Sequence, residues 1–371
     1  SERITTAPVS PLGQRLYVRT KNARDVAAPT TIAPDPTRAH KPENKEAPIH
    51  MAYAFIYVAD AEEGLVMVSA ANILDGNPLN NYLKKDVVFN PDGLLHGARS
   101  VTVIGTNVYV GCDAGLVVVS VDDPFKPRVT SVLGAPAVND VRDVEAQFRY
   151  AFVADADGVK VLDITNPQVP VPVSVVHLKE AYKVYPARTY AYVAAGHEGL
   201  VILDIEKPEQ PVIDQVFNAG GQINDVRDVK LGITYTSQFA YLADGHNGLR
   251  VVQLTSTDTP GYQGFSPRPT PVLVASKKMP KNGHALAIAE GIDRDRAVDE
   301  SGNQIAVFGR VGARPLSLAD QQKMYIHNGM LWQVSDDPRS PLYQQLPNRN
   351  SRPPVPSVSP PVPGTIPAPV R

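Results

Sequence analysis

The residues with chemistry to offer recur at intervals along the chain. Asp60, Asp113, Asp155 and Asp244 each stand shortly ahead of a glycine, with His197 and His246 at similar places. A ring of turn carboxylates would suit a hard cation such as calcium, but an aspartate in a turn also accepts hydrogen bonds from its own backbone, and no stretch has the one-three-five oxygen spacing of an EF-hand. The backbone-capping reading is the simpler one. A second recurrent set is basic. Arg142-Asp143 and Arg227-Asp228 lie inside two identical copies of Asn-Asp-Val-Arg-Asp-Val, at 139–144 and 224–229, and Arg99 heads a looser copy, Arg99-Ser100-Val101. One reading is a channel ring that binds an anion or a partner. The other is an arginine–aspartate lattice tying neighbouring units together, with Asp143 and Asp228 as the acceptors. Repetition in unit after unit favours the lattice, because a catalytic site breaks symmetry.

The eight histidines show neither His-x-x-x-His nor His-Glu-x-x-His spacing. His96 and His284 open two similar segments, HGARSV and GHALAI, and are candidate ligands at one end of a channel, with no third ligand evident. Cys112 is the single cysteine, which excludes an internal disulfide, a cysteine-rich zinc site and a Cys-x-x-Cys-His haem attachment. Its setting in VYVGCDAG is that of a small buried hydrophobe. No Ser-His-Asp arrangement, phosphate loop or dinucleotide fingerprint is present, so no catalytic residue, metal or cofactor is assigned.

The elements that must position these residues are hairpins. Tyr150 to Pro170 reads as a strand, an Asp155-Ala156-Asp157-Gly158 turn, a second strand and a proline-marked exit. The pattern recurs at Ala54–Ser69, Val108–Pro127, Tyr190–Pro211 and Phe239–Leu254, with turn glycines Gly64, Gly115, Gly158, Gly199 and Gly248 spaced 51, 43, 41 and 49 residues apart. Each unit adds a short strand carrying Arg-Asp-Val before the hairpin and a return strand such as Val173–Val176 after it. Arg24-Asp25-Val26 is a degenerate copy of the first of these. Four short strands every 40–50 residues predict a β-propeller.

The runs Gly115–Val121, Gly158–Ile164 and Gly199–Ile205 (GLVVVSV, GVKVLDI, GLVILDI), followed by Asn166-Pro167…Pro170 and Lys207-Pro208…Pro211, resemble the LVIVD-repeat proteins over roughly residues 50–254. The resemblance implies a bacterial or archaeal propeller, often exported, with no unifying chemistry. It also suggests association with multihaem c-type cytochromes.

The predicted fold is therefore all-β: a single propeller of six or seven four-stranded blades over 50–347, with an extended N-terminal arm at 1–49 and a Pro-rich tail at 348–371. The units fall at 50–95, 96–138, 139–178, 179–218 and 219–274. A cryptic unit follows from Gly283–Ile288 onward, and a last hairpin covers Met324–Pro338. Thirty-five prolines, eight of them in the final 24 residues, mark the tail as polyproline-like. A net charge of −2 argues against a nucleic-acid partner, which would need a basic face, and no run of 18 apolar residues is present to span a membrane.

The function expected is a non-catalytic scaffold or docking subunit of an exported, periplasmic or cell-surface assembly, with a signal peptide taken to be removed. Its arms would be held by a protein partner: a multihaem cytochrome or a second copy of the chain. The alternatives are a propeller-face enzyme (hydrolase, lyase or cofactor-dependent dehydrogenase), with the charged stretch Asp293–Glu300 in 275–347 as the place to look, and a surface ligand-binding module using Tyr53, Tyr82, Tyr262 and Tyr343.

Overall fold

A computed structural model describes residues 18–29, 50–70, 83–234, 237–280 and 283–289, with four two-residue strands beyond them. Twenty strands form five antiparallel sheets of four. They are β1–β4 (Ala23–Ala27, Phe55–Asp60, Gly64–Ser69, Lys84–Phe89), β5–β8 (Ser100–Ile104, Asn107–Cys112, Gly115–Ser120, Arg128–Leu133), β9–β12 (Asp143–Gln147, Tyr150–Asp155, Gly158–Asp163, Val171–His177), β13–β16 (Lys183–Ala187, Tyr190–Ala194, Leu200–Asp204, Val212–Phe217) and β17–β20 (Asp228–Thr234, Ser237–Asp244, Gly248–Thr255, Val272–Lys277). The hairpins read from the sequence are the second and third strands of each sheet. Arg24-Asp25-Val26 lies in β1 and pairs with β2, so the first sheet takes its inner strand from the segment assigned to the N-terminal arm. Further on, β21 and β22 (Arg310–Val311, Arg314–Pro315) pair, as do β23 and β24 (Ile326–His327, Met330–Leu331), the latter within the expected last hairpin. The Pro-rich tail, the charged stretch 293–300, Trp332 and most of the N-terminal arm lie outside the described residues. Among the described residues no helix is long and apolar enough to cross a membrane.

Strand periodicity explains the stacking. Val159 and Val161 of β11 pack with Val201 and Leu203 of β15, whereas Leu162 faces the other way, onto Tyr109 and Val118 of the second sheet. Each apolar core thus lies between two consecutive sheets: first with second, second with third, third with fourth, fourth with fifth. Sheets apolar on both faces need neighbours on both sides, which makes the array propeller-like. The inner strands β1, β5, β9, β13 and β17 lie beside one another in sequence. The third and fourth strands slip register at one equivalent place in all five sheets: Met67/Val68, Val118/Val119, Val161/Leu162, Ile202/Leu203 and Val251/Val252. Such a bulge bends the strand and adds right-handed twist, keeping successive sheets congruent. The turn glycine has a second duty. Gly248 sits at φ 89°, and any Cβ there would collide with the carbonyl of Lys277 on the outer strand.

Residues 283–289 repeat two contacts that a lead-in makes with the preceding sheet. Ala285 bridges to Gly245 just as Val226 of the fifth unit bridges to Gly196 of the fourth. The Ile288 N–H donates to Asp228 at 2.8 Å. The equivalent bond between the third and fourth sheets runs from the Val184 N–H to Asp143, and that between the first and second from the Val101 N–H to Asp25, both at 3.0 Å.

Candidate functional site

The register fixes which side chains meet at the axis. Asp25, Ser100, Asp143, Lys183 and Asp228 occupy one equivalent position, opposite Ala59, Gly111, Ala154, Ala194 and Ala243 of the second strands. Two residues on come Ala27, Thr102, Glu145, Tyr185 and Lys230. The valine between the two layers is drawn into the inter-sheet core at Val101, Val144, Val184 and Val229.

Lys183 dominates the first layer. Its Nζ lies 2.8 Å from Asp143 Oδ1 on the neighbouring sheet and 3.5 Å from Asp25 Oδ2 on the first sheet, three units away. Burial alone would lower its pKa, but Asp143 and Asp25, with Asp228 beyond them, hold the ammonium well above its ordinary value. In the second layer Lys230 Nζ stands 3.7 Å from Glu145 Oε1 and 5.3 Å from the centre of the Tyr185 ring. Burial, then the carboxylates of Asp143 and Asp25, push Glu145 up to about 7 against the opposing pull of Lys230 and Lys183. Burial also raises Asp228, partly offset by the Ile288 N–H. Ser100 breaks the pattern: its Oγ is buried without a hydrogen-bond partner.

The arginines occupy a different level. They precede the inner strands, at the end of the axis where the hairpin turns gather. Arg99 pairs with Asp113 of its own hairpin and, at 2.5 Å, with Asp140 at the entrance to the third sheet. Arg142 reaches Asp140 at 3.3 Å and the Ala181 carbonyl at 3.2 Å. Tyr182 then lies between Arg142 and Arg227, with guanidinium carbons 5.2 and 4.4 Å from its ring centre. Arg227 holds Asp225 at 2.7 Å. The result is a continuous rim, Arg99–Asp140–Arg142–Tyr182–Arg227–Asp225. Asp143 and Asp228, expected as the acceptors, sit one residue beyond an arginine. Period-two alternation turns them away, and they tie neighbouring sheets through backbone N–H groups instead.

A carboxylate–histidine pair decorates this rim in three sheets, from two different sources. In the fourth and fifth sheets the carboxylate comes from the lead-in and the histidine from the hairpin: Glu180 with His197 at 2.9 Å and Asp225 with His246 at 2.7 Å. In the second sheet the lead-in supplies His96 and the hairpin Asp113, 2.9 Å apart. A glycine sits opposite each carboxylate. Asp113 fills the space a Cβ on Gly97 would need, while Glu180 and Asp225 do the same against Gly196 and Gly245. Burial alone would raise Glu180 and Asp225, yet the ring and backbone N–H groups of the histidines hold both below the usual carboxylate range. The His284 ring lies 6.3 Å from that of His246, while His96 stays with Asp113. Among the described residues no three metal-ligating side chains gather.

Three of the four turn aspartates act on backbone. Asp60 accepts the N–H groups of Asn22, Glu62 and Glu63, at 2.6 to 2.9 Å. Asp155 takes those of Asn139 and Asp157, and Asp244 those of Asn224 and Asp225. Each thereby fastens the lead-in to the hairpin. Asp155 and Asp244 also hold the buried cations Lys160 and Arg250, at 3.2 and 3.0 Å. Cys112 is buried in the first core, its thiol raised by burial.

The LVIVD repeat model matches the sequence four times, at residues 97–131, 139–177, 188–218 and 232–255. The chain carries LVIVD repeats over this stretch. The first two matches fall on the second and third sheets, the third covers the last three strands of the fourth, and the last centres on the hairpin strands β18 and β19 of the fifth. No curated protein matches the chain in sequence. Similar solved structures include a functionally unknown protein from Desulfotomaculum acetoxidans DSM 771, at 12% identity and TM-score 0.47, covering 73% of this chain and 74% of that one. Another is the β-propeller domain of Cps50 (Swd1) from Myceliophteria thermophila, at 10% identity and TM-score 0.42, covering 71% and 77%.

Proposed function

We propose that this protein is a non-catalytic docking scaffold, closed as six or seven blades, whose outer strands receive a protein partner. The observation that carries the reading is the apolar character of three successive outermost strands. Val171, Val173 and Val175 on β12, Val212, Ile213 and Val216 on β16, and Val272 and Val274 on β20 are all exposed, Val212 by 57%. Outermost strands also present unpaired backbone groups. Partners use such strands by adding a strand or an apolar face. The axis supports the same reading, because its ammonium groups are engaged by neighbouring carboxylates.

An exported or cell-surface setting, and a multihaem c-type cytochrome or a second copy as the partner, are carried by the family resemblance and belong to the proposal. The test is affinity purification from the native source, comparing wild type with a folded Val173→Glu/Val212→Glu variant and recording the absorbance spectrum of the eluate. A stoichiometric partner recovered by wild type and lost by the variant is expected. A partner held equally by both, or no stoichiometric partner at all, overturns the reading.

A further inference from the structure

One cavity breaks the repeat symmetry. It lies between the fourth and fifth sheets, at the end of the array opposite the arginine rim. It has a volume of about 190 Å³ and is lined by Arg188, Tyr190, Tyr192, Gln238, Thr255 and Tyr262 among others. Its roof is a departure from the repeat. In the second, third and fourth sheets seven residues join the third strand to the fourth, at 121–127, 164–170 and 205–211, whereas 16 do so in the fifth, at 256–271. The longer loop folds back over the fourth sheet. Arg188 donates to the Phe265 carbonyl and covers the Phe265 ring, Thr189 meets Ser266 at 2.6 Å, and Arg268 holds Asp214 at 2.9 Å.

Tyr192 gives the cavity its meaning. Tyr57, Tyr109, Phe152 and Tyr192 occupy the same place in the second strands of the first four sheets, paired with Met67, Val118, Val161 and Ile202 respectively. In the first sheet the Tyr57 hydroxyl donates to the Ala52 carbonyl at 2.7 Å, and in the second the Tyr109 hydroxyl donates to the Pro167 carbonyl of the next unit's loop. In the third the ring is phenylalanine, with no hydroxyl to satisfy. In the fourth, Tyr192 is 98% buried as a residue and lines the cavity, with no hydrogen bond from its hydroxyl to another described residue. A tyrosine hydroxyl at this depth ordinarily finds a protein partner, and here the residue lines a cavity beneath the lengthened loop instead.

We propose that this cavity binds a neutral polyhydroxylated ligand the size of one sugar ring, with the Tyr192 hydroxyl as its buried anchor. The lining is suited to that class. It combines phenol, hydroxyl and amide groups that both donate and accept with tyrosine faces for C–H contact. Its one cation, Arg188, is already engaged with the loop. The volume falls below the roughly 300 Å³ at which pockets for drug-sized ligands begin, which limits the occupant to a single ring.

The experiment is saturation-transfer NMR on the full chain with glucose, galactose, mannose and N-acetylglucosamine, followed by titration calorimetry on any that respond. At least one sugar is expected to bind. Tyr192→Phe should weaken it about 5–10-fold, the worth of one hydrogen bond, and Tyr262→Ala should weaken it as well. Tyr109→Phe, whose hydroxyl faces no cavity, should leave binding unchanged. Phe152 already stands at the equivalent place in the third sheet, so Tyr192→Phe should fold, as its thermal transition will show. Failure of all four sugars to bind, binding that Tyr192→Phe leaves intact, or binding of acetate or phosphate in their place would each overturn the proposal.

Discussion

Lys183 of the fourth sheet reaches Asp143 of the third at 2.8 Å and Asp25 of the first at 3.5 Å, so one ammonium links three sheets across the axis. Asp143 is almost wholly buried and would be left without its cation if the lysine were removed. Breaking such a pair from one side costs about 3–5 kcal/mol. Lys183→Met should therefore lose at least about 3 kcal/mol in chemical denaturation. Adding Asp143→Asn to it should cost much less than the sum of the two single changes.

Glu145 gives the fold a pH dependence of definite sign. Its pKa in the folded chain, about 7, lies above its ordinary value of 4.5, so the folded state binds more protons between those two pH values. Stability contributed by this group is complete below pH 4.5 and is lost as pH rises through 7. At full weight the shift corresponds to roughly 3 kcal/mol, and to about half of that once water reaching the carboxylate is allowed for. Glu145→Gln should raise the melting temperature at pH 8 and leave it nearly unchanged at pH 4.5.

The three equivalent tyrosines should differ in what their hydroxyls contribute to stability. Tyr57→Phe and Tyr109→Phe each remove a hydrogen bond to a backbone carbonyl and should cost about 1 kcal/mol. Tyr192→Phe removes none and should be neutral within about 0.5 kcal/mol. Urea titrations of the three variants, run without added ligand, measure the difference.

Asp244 fastens the lead-in of the fifth sheet to its hairpin and holds the buried Arg250 at 3.0 Å. Asp244→Ala leaves two backbone donors unpaired and takes the carboxylate from the buried Arg250, which keeps only the Gln222 carbonyl, for an expected loss of about 3–5 kcal/mol. Asp113 takes the neighbouring turn position in the second sheet and is exposed on the rim, so Asp113→Ala should cost only about 1 kcal/mol. Comparing the two by thermal denaturation separates the fastening role from the surface pairs.

What was legible in the sequence was what is local. Turn glycines, period-two strands and the Arg-Asp-Val triplets placed all five hairpins and pointed to β1. Contacts across the axis were not legible, because they join residues such as Asp25 and Lys183 that only the packing of sheet on sheet brings together. Lys183 was missed for a second reason: the fourth unit carries Tyr182-Lys183-Val184 where its neighbours carry Arg-Asp-Val. Counting back from the Tyr190 hairpin would have aligned Lys183 with Asp143. The arginines were given the wrong acceptors because adjacency in sequence was read as adjacency in space, although a strand sends neighbours to opposite faces. Tyr192 could not be singled out at all, since its hydroxyl differs from that of Tyr109 only in what the next unit's loop places opposite it.

The exchange of glycine and carboxylate at the rim bears on how such a chain can be rebuilt or diversified. The second sheet pairs Gly97 with Asp113, and the fourth pairs Glu180 with Gly196. Grafting the fourth hairpin alone into the second sheet would set glycine against glycine and strip Arg99 of its own hairpin's carboxylate. The reciprocal graft would force two acids into a volume made for one. Segments of this molecule can therefore be shuffled only as whole blades, lead-in and hairpin together, and the smallest heritable module is the unit that keeps one acid and one glycine face to face.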